Sequence, residues 1–269
     1  MTRVHDSGED DPGHLSPEQK GNAAMAASFT ADLTGKTAVV TGASSGIGHA
    51  IAEEYLRNGA TVVGLHRRPV ATHGGKYVPV AVDLGEPDQV RAAAAAVLRE
   101  HRVDILVNNA GLNLRHPFED FPFEDWDRVQ QLNIRSVVEL TQLFGRPMLE
   151  RGAGVIVNLA SMLSFTGGFT ASAYAASKGA VAQFTKSVAN EWAAKGVRVN
   201  AIAPGFIDTE MNVALVADET RNRKILERIP AGRWGTAEDI AGAALFLVSD
   251  AARFVHGTVL PVDGGYLAR

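Results

Sequence analysis

The chain has 269 residues, 46% of them hydrophobic and 21% charged, a balance that suits a water-soluble α/β protein with one large core. Its formal net charge is -4 and its 26 basic residues are scattered, which argues against a nucleic-acid groove or an anionic membrane as partner and leaves small-molecule chemistry. There is no cysteine, so disulfides, thiolate nucleophiles and cysteine-ligated metals are excluded; the histidines stand apart, so no metal site is expected. No apolar run has the roughly 18 residues of a membrane helix, and the expected location is the cytoplasm.

Residues 1 to about 28 carry Asp, Glu, Gly, Pro and His without periodicity, and a disordered N-terminal tail is expected there. Met25 stands where the pattern begins; a translation start at Met25 is a hypothesis that N-terminal sequencing finding Met1 or Thr2 would end. From residue 29 to residue 269 the reading is one dinucleotide-binding and catalytic domain.

The first strand, TAVV (37 to 40), runs into Thr41-Gly42-Ala43-Ser44-Ser45-Gly46-Ile47-Gly48 and then a helix at 46 to 58. Glycines let backbone N–H groups approach an anion, and the helix N-terminus adds positive partial charge, so a pyrophosphate is expected here. The spacing is Gly-x3-Gly-x-Gly, so the strand-turn-helix context carries as much weight as the letters. Strand TVVGL (61 to 65) ends in His66-Arg67-Arg68, where a 2'-hydroxyl reader would have an acid; the charge favours NADP, and two solvated surface arginines beside an NAD site are the alternative. Strand YVPVAV (77 to 82) precedes Asp83 and Leu84, with Asp83 placed either to accept from an adenine amino group or to cap the following turn.

A helix at 87 to 101 leads to strand DILV (104 to 107) and to Asn108-Asn109-Ala110-Gly111, whose small residues admit a ribose. Asn133 lies within a helix at 125 to 151, where asparagine has indifferent propensity; it can hold a water or be merely structural. Strand GVIVNL (154 to 159) delivers Ser161 to the ligand-facing edge expected of a parallel sheet, with Met162 and Leu163 beside it. Tyr174 and Lys178 open a helix at 174 to 195, and their i, i+4 spacing puts phenol and ammonium on one face. An ammonium about 4 Å from the phenol at an effective dielectric of 20 supplies about 4 kcal/mol. Lys178 together with a positively charged oxidised nicotinamide is therefore enough in principle to lower a tyrosine pKa by about three units toward neutrality.

Strand VRVNAI (197 to 202) is followed by Pro204-Gly205-Phe206-Ile207-Asp208-Thr209, whose backbone at Ile207 and Thr209 can seat a nicotinamide amide. Residues 206 to about 229 interrupt the strand-helix rhythm and read as a helical lid over substrate; a helix at 236 to 249 and strand TVLPV (258 to 262) complete the chain. The whole predicts a Rossmann-like, doubly wound sheet of seven parallel strands with helices on both faces.

TGASSGIG, NNAG, Asn133, Ser161, YAASK and PGFIDT, in this order, resemble the short-chain dehydrogenase/reductase family over about residues 33 to 269. The resemblance implies an NAD(P)-dependent oxidoreductase with a tetrad of Asn133, Ser161, Tyr174 and Lys178. In it Tyr174 is the acid/base, Ser161 orients substrate, Lys178 binds ribose and tunes the phenol, and Asn133 supports the proton relay. It also implies a homotetramer. The stretches at 160 to 168, 190 to 193 and 228 to 235, with the ending DGGYLAR, narrow the resemblance to its sugar-acid branch, acting on compounds such as 2-deoxy-D-gluconate or 2-dehydro-3-deoxy-D-gluconate, usually with NAD. Gluconate 5-oxidation and 3-oxoacyl thioester reduction are the enzymatic alternatives, and an NAD(P)-sensing regulator is the non-enzymatic one. A sugar acid needs a cation for its carboxylate, and Arg115, four residues past Gly111, is the candidate.

Overall fold

The structure, a computed structural model, describes residues 29–67 and 76–269; Arg68, Met25 and the expected tail lie outside the described residues. Seven strands form one sheet: β1 Thr37–Thr41, β2 Thr61–His66, β3 Tyr77–Ala81, β4 Ile105–Asn108, β5 Gly154–Leu159, β6 Val197–Pro204 and β7 Val259–Val262. Their order is β3-β2-β1-β4-β5-β6-β7 and every pairing is parallel.

Strand periodicity assigns the two faces. Ala38, Val40, Val62, Ile105, Val107 and Val157 point to one side, where α1 (Gly46–Arg57) contributes Ile51 and Tyr55 and another helix, Ala237–Val248, contributes Ile240, Ala244 and Leu245. Val39, Val63, Leu106, Ile156 and Val199 point to the other, against α2 (Pro87–Glu100), a helix at Ser136–Glu150 carrying Leu140, Phe144 and Met148, and a long one at Ser172–Trp192 carrying Val188. Both faces are thus covered, which is why the strands read as continuous apolar runs instead of alternating ones.

The helix expected at 125 to 151 is three pieces: α3 (Phe123–Gln130), a π-helical turn at Gln131–Arg135, and α4 (Ser136–Glu150). Asn133, fully buried, sits inside the π turn, so the widened turn aims an amide into the protein at the sheet's C-terminal edge. The long helix at Ser172–Trp192 is α5, and its last turn tightens at Ala193–Lys195. After β6 come a short 3₁₀ turn at Glu210–Asn212, α6 (Val213–Ala217) and α7 (Glu219–Leu226), then α8 (Ala237–Val248). Strand order reverses between β1 and β4, so a crevice opens beyond their carboxyl ends, where open α/β sheets hold ligands.

Candidate active site

That crevice is a cleft of about 340 Å3 bordered by Gly42, Ser44, Ser45, Gly46, Ile47, His66, Arg67, Asp83, Leu84, Asn109, Ala110, Gly111, Ser161, Tyr174, Lys178, Pro204, Gly205, Ile207 and Thr209. Residues from seven separated stretches of chain therefore meet where the strand order reverses. A larger groove of about 1,100 Å3 runs along Asp127–Gln142 on the outer side of Arg67 and Asp83. It touches neither Ser161 nor Tyr174 nor Lys178, so the chemistry belongs to the smaller cleft.

The glycine loop has the shape a pyrophosphate requires. Gly46 adopts φ 54°, and Ser45, the residue before α1, makes no side-chain cap, which leaves first-turn N–H groups facing the cleft. Gly48 does not border the cleft: a Cβ there would overlap the Gly42 carbonyl and the Asn109 side-chain amide, so its place is to let α1 approach the loop. Thr41, which sequence reasoning passed over, organises the facing turn. Its buried hydroxyl accepts from Asn109 N and Ala110 N, both at 2.9 Å, while Asn109 Nδ2 donates to Thr41 O at 2.8 Å.

At the far end of the cleft the His66 ring is buried and lies parallel to Tyr77, ring centres 6.4 Å apart. Arg67 is mostly exposed, 3.9 Å from Asp83 Oδ2. Asp83 Oδ1 accepts from Gly85 N at 2.9 Å, so the capping alternative for this residue is realised while Oδ2 faces Arg67. These groups suit an adenosine moiety, and the basic side chain suits an added phosphate.

Ser161 caps its own turn, its hydroxyl accepting from Leu163 N at 3.1 Å, and it is hydrogen-bonded to the Tyr174 phenol. Lys178 lies 5.7 Å from the centre of the Tyr174 ring, and its Nζ donates to Leu159 O at 2.6 Å. Burial pushes the Tyr174 phenol above its ordinary value, opposed by the Ser161 hydrogen bond and by the charge of Arg115, while burial lowers the Lys178 ammonium to about 8. Desolvation is the largest influence on both groups. Asn133 has its amide committed: Oδ1 accepts from Leu112 N and Nδ2 donates to Leu112 O, both at 2.9 Å, with a further donation to Ser177 Oγ at 3.0 Å. The amide thus fixes the loop after Gly111, and its Oδ1 keeps one acceptor site beyond the bond from Leu112 N.

Met162 and Leu163 do not border the cleft. Met162 is buried against Ile229 and Tyr266, and Leu163 packs on the same cluster. Arg115 is not part of the cleft lining either, but it stands close enough to Tyr174 for the two charges to interact. Its Nη1 donates to Phe169 O at 3.2 Å, beside Thr170, whose φ of 55° is unusual for a β-branched residue. Burial lowers the Arg115 pKa, and the nearby Arg221 of α7 lowers it further. Glu210, Met211 and Asn212 close the cleft opposite the glycine loop. Among the described residues no group of His, Asp or Glu is placed to hold a metal ion, and no helix is long and apolar enough to cross a membrane.

A nucleotide cradle next to a Ser-Tyr-Lys cluster defines an NAD(P)-dependent oxidoreductase acting on CH–OH groups. The chain belongs to the short-chain dehydrogenase/reductase family, and a family model described as enoyl-(acyl carrier protein) reductase matches residues 42–267. It is 49% identical over 245 residues to 2-dehydro-3-deoxy-D-gluconate 5-dehydrogenase of Bacillus subtilis, covering 88% of this chain and 96% of that protein. It is 41% identical over 244 residues to gluconate 5-dehydrogenase of Gluconobacter oxydans, covering 87% and 95%. The crystal structure of a gluconate 5-dehydrogenase from Burkholderia cenocepacia in complex with NADP and tartrate superposes with a TM-score of 0.85 at 38% identity, covering 88% of this chain and 97% of the other.

Proposed function

We propose that this chain reversibly oxidises a secondary hydroxyl of a sugar acid, of the 2-deoxy-D-gluconate or 2-dehydro-3-deoxy-D-gluconate kind, with NADP preferred, and works as a cytoplasmic homotetramer. The observation that carries the sugar acid is Arg115. It is a solvent-exposed guanidinium whose charge reaches the reacting phenol, and its hydrogen bond among the described residues goes to one backbone carbonyl, Phe169 O. A planar guanidinium in that state favours a carboxylate, which can take two parallel bonds from it. The names of the relatives support the same substrate class, and the absence of an acid at the end of β2 beside Arg67 supports NADP.

When bound, the nicotinamide supplies the hydride acceptor or donor. The Gly42–Gly48 loop holds the pyrophosphate, Asn109, Ala110 and Gly111 the ribose side, and Ile207 and Thr209 the amide. Ser161 donates to the substrate oxygen and orients it. Tyr174 takes the hydroxyl proton in oxidation and returns it in reduction. Lys178 binds the ribose, and Asn133 holds the Leu112 backbone under it.

The test is an initial-rate screen of sugar acids and neutral ketones with both cofactors, run on the parent and on Arg115→Ala. A lost charge-assisted pair of about 1.5–3 kcal/mol predicts a KM for the sugar acid raised by at least about tenfold, with neutral ketones unaffected. Equal loss for both substrates removes Arg115 from recognition. Light scattering that finds a monomer at micromolar concentration removes the tetramer.

A further inference from the structure

Two serines outside the tetrad make hydrogen bonds that join its members. Ser177 is fully buried one position before Lys178; its hydroxyl accepts from Asn133 Nδ2 at 3.0 Å and donates to Tyr174 O at 2.7 Å. It thereby spans from the π turn at Gln131–Arg135 to the first turn of α5, across 44 residues of sequence. Ser164 does the same on the other side. Its hydroxyl donates to Lys178 O at 2.7 Å and accepts from Ser161 N at 3.2 Å, and its own N–H donates to Ser161 O at 2.8 Å. The turn that carries Ser161 is thus pinned to α5 at the residue that carries Lys178.

We propose that Ser164 and Ser177 are positioning residues for the reaction: two hydroxyl struts that set where the Ser161 turn and the Asn133 turn stand relative to the Tyr174–Lys178 face of α5. The need for such struts follows from the architecture. Ser161 hangs on a loop after β5, Asn133 on an irregular turn, and Tyr174 and Lys178 on a regular helix; no shared element holds the three together. A displacement of about 1 Å between reacting groups costs on the order of a hundredfold in rate, so fixing loop to helix bears directly on turnover. Neither serine requires the substrate to be a sugar acid, and the inference stands on the reaction class alone.

The experiment uses full-length Ser164→Ala, Ser164→Thr and Ser177→Ala, assayed in the direction of alcohol oxidation with NADP. Each alanine variant is expected to lower kcat about tenfold while leaving the dissociation constant for NADP within about twofold. Loosening the Ser161 turn weakens the hydrogen bond that holds the phenol's pKa down. The alkaline-rising limb of the kcat profile should therefore move to higher pH in Ser164→Ala. Ser164→Thr keeps the hydroxyl and should restore both the rate and the limb. Unchanged kcat in the alanine variants overturns the proposal. So does a fall in kcat that matches the loss of folded protein by thermal melting, with pH profiles superimposable on the parent's.

Discussion

Asn133 grips both backbone polar groups of Leu112, accepting from its N–H and donating to its carbonyl, each at 2.9 Å. Such a two-way clasp imitates a β-ladder pairing and holds the chain just beyond Gly111, which borders the nucleotide cleft. Replacing Asn133 with Ala leaves a half-buried N–H and carbonyl unpaired, at a cost of about 1–3 kcal/mol. Thermal melting should show a Tm several degrees lower, together with a raised KM for NADP. A Tm within one degree of the parent would contradict the clasp.

Tyr174→Phe removes the proton-transfer group and leaves the apolar ring. Turnover should fall by about a hundredfold or more while nucleotide binding, followed by fluorescence titration, persists. Undiminished turnover would exclude Tyr174 as the acid/base.

Lys178 illustrates a stability cost accepted for chemistry. Its ammonium is buried, and its pKa falls from 10.5 to about 8. Between these values the unfolded chain binds more protons than the native one, so this residue makes stability rise with pH from about 8 to 10.5. At pH 7 the charged form is disfavoured by up to about 3 kcal/mol, offset in part by the bond to Leu159 O. Lys178→Met should be inactive yet more stable at pH 7, by roughly 1–2 kcal/mol, and its advantage over the parent should shrink toward pH 10. Denaturant melts at the two pH values check this; a variant less stable than the parent at pH 7 would refute it.

Gly48→Ala places a methyl against the Gly42 carbonyl and the Asn109 amide. The loop must shift to admit it, so the dissociation constant for NADP should rise at least about tenfold. Calorimetric titration measures it directly, and undisturbed binding would mean that the loop has room to spare.

Arg67→Ala tests the adenosine end. Removing the cation should raise KM for NADP about tenfold and leave KM for NAD within about twofold. A parallel change for both nucleotides would assign Arg67 to the surface alone.

Much of this molecule is legible as a string of letters. The seven strands lie where β-branched runs such as TAVV and GVIVNL place them, because a buried parallel strand needs apolar residues on both faces and shows them locally. The glycine loop and the i, i+4 pair of Tyr174 and Lys178 are equally local, since backbone freedom and helix periodicity are properties of neighbours in sequence. The π turn that interrupts the helix at Gln131–Arg135 has no such mark: it exists because Asn133 must reach Leu112 and Ser177 at once.

Residue types and spacing therefore determined the doubly wound sheet and marked the glycine loop, Ser161, Tyr174 and Lys178 as candidates that the fold brings to one cleft. Tertiary structure alone decided how those side chains are wired: that Lys178 is bound to Leu159 O, that Asn133 clasps a backbone, that Met162 packs inward, and that Arg115 comes close enough to Tyr174 for their charges to interact. The reason is that burial and hydrogen-bond partners depend on chain segments tens of residues apart meeting in space. No local pattern reports the desolvation that raises one pKa and lowers its neighbour's.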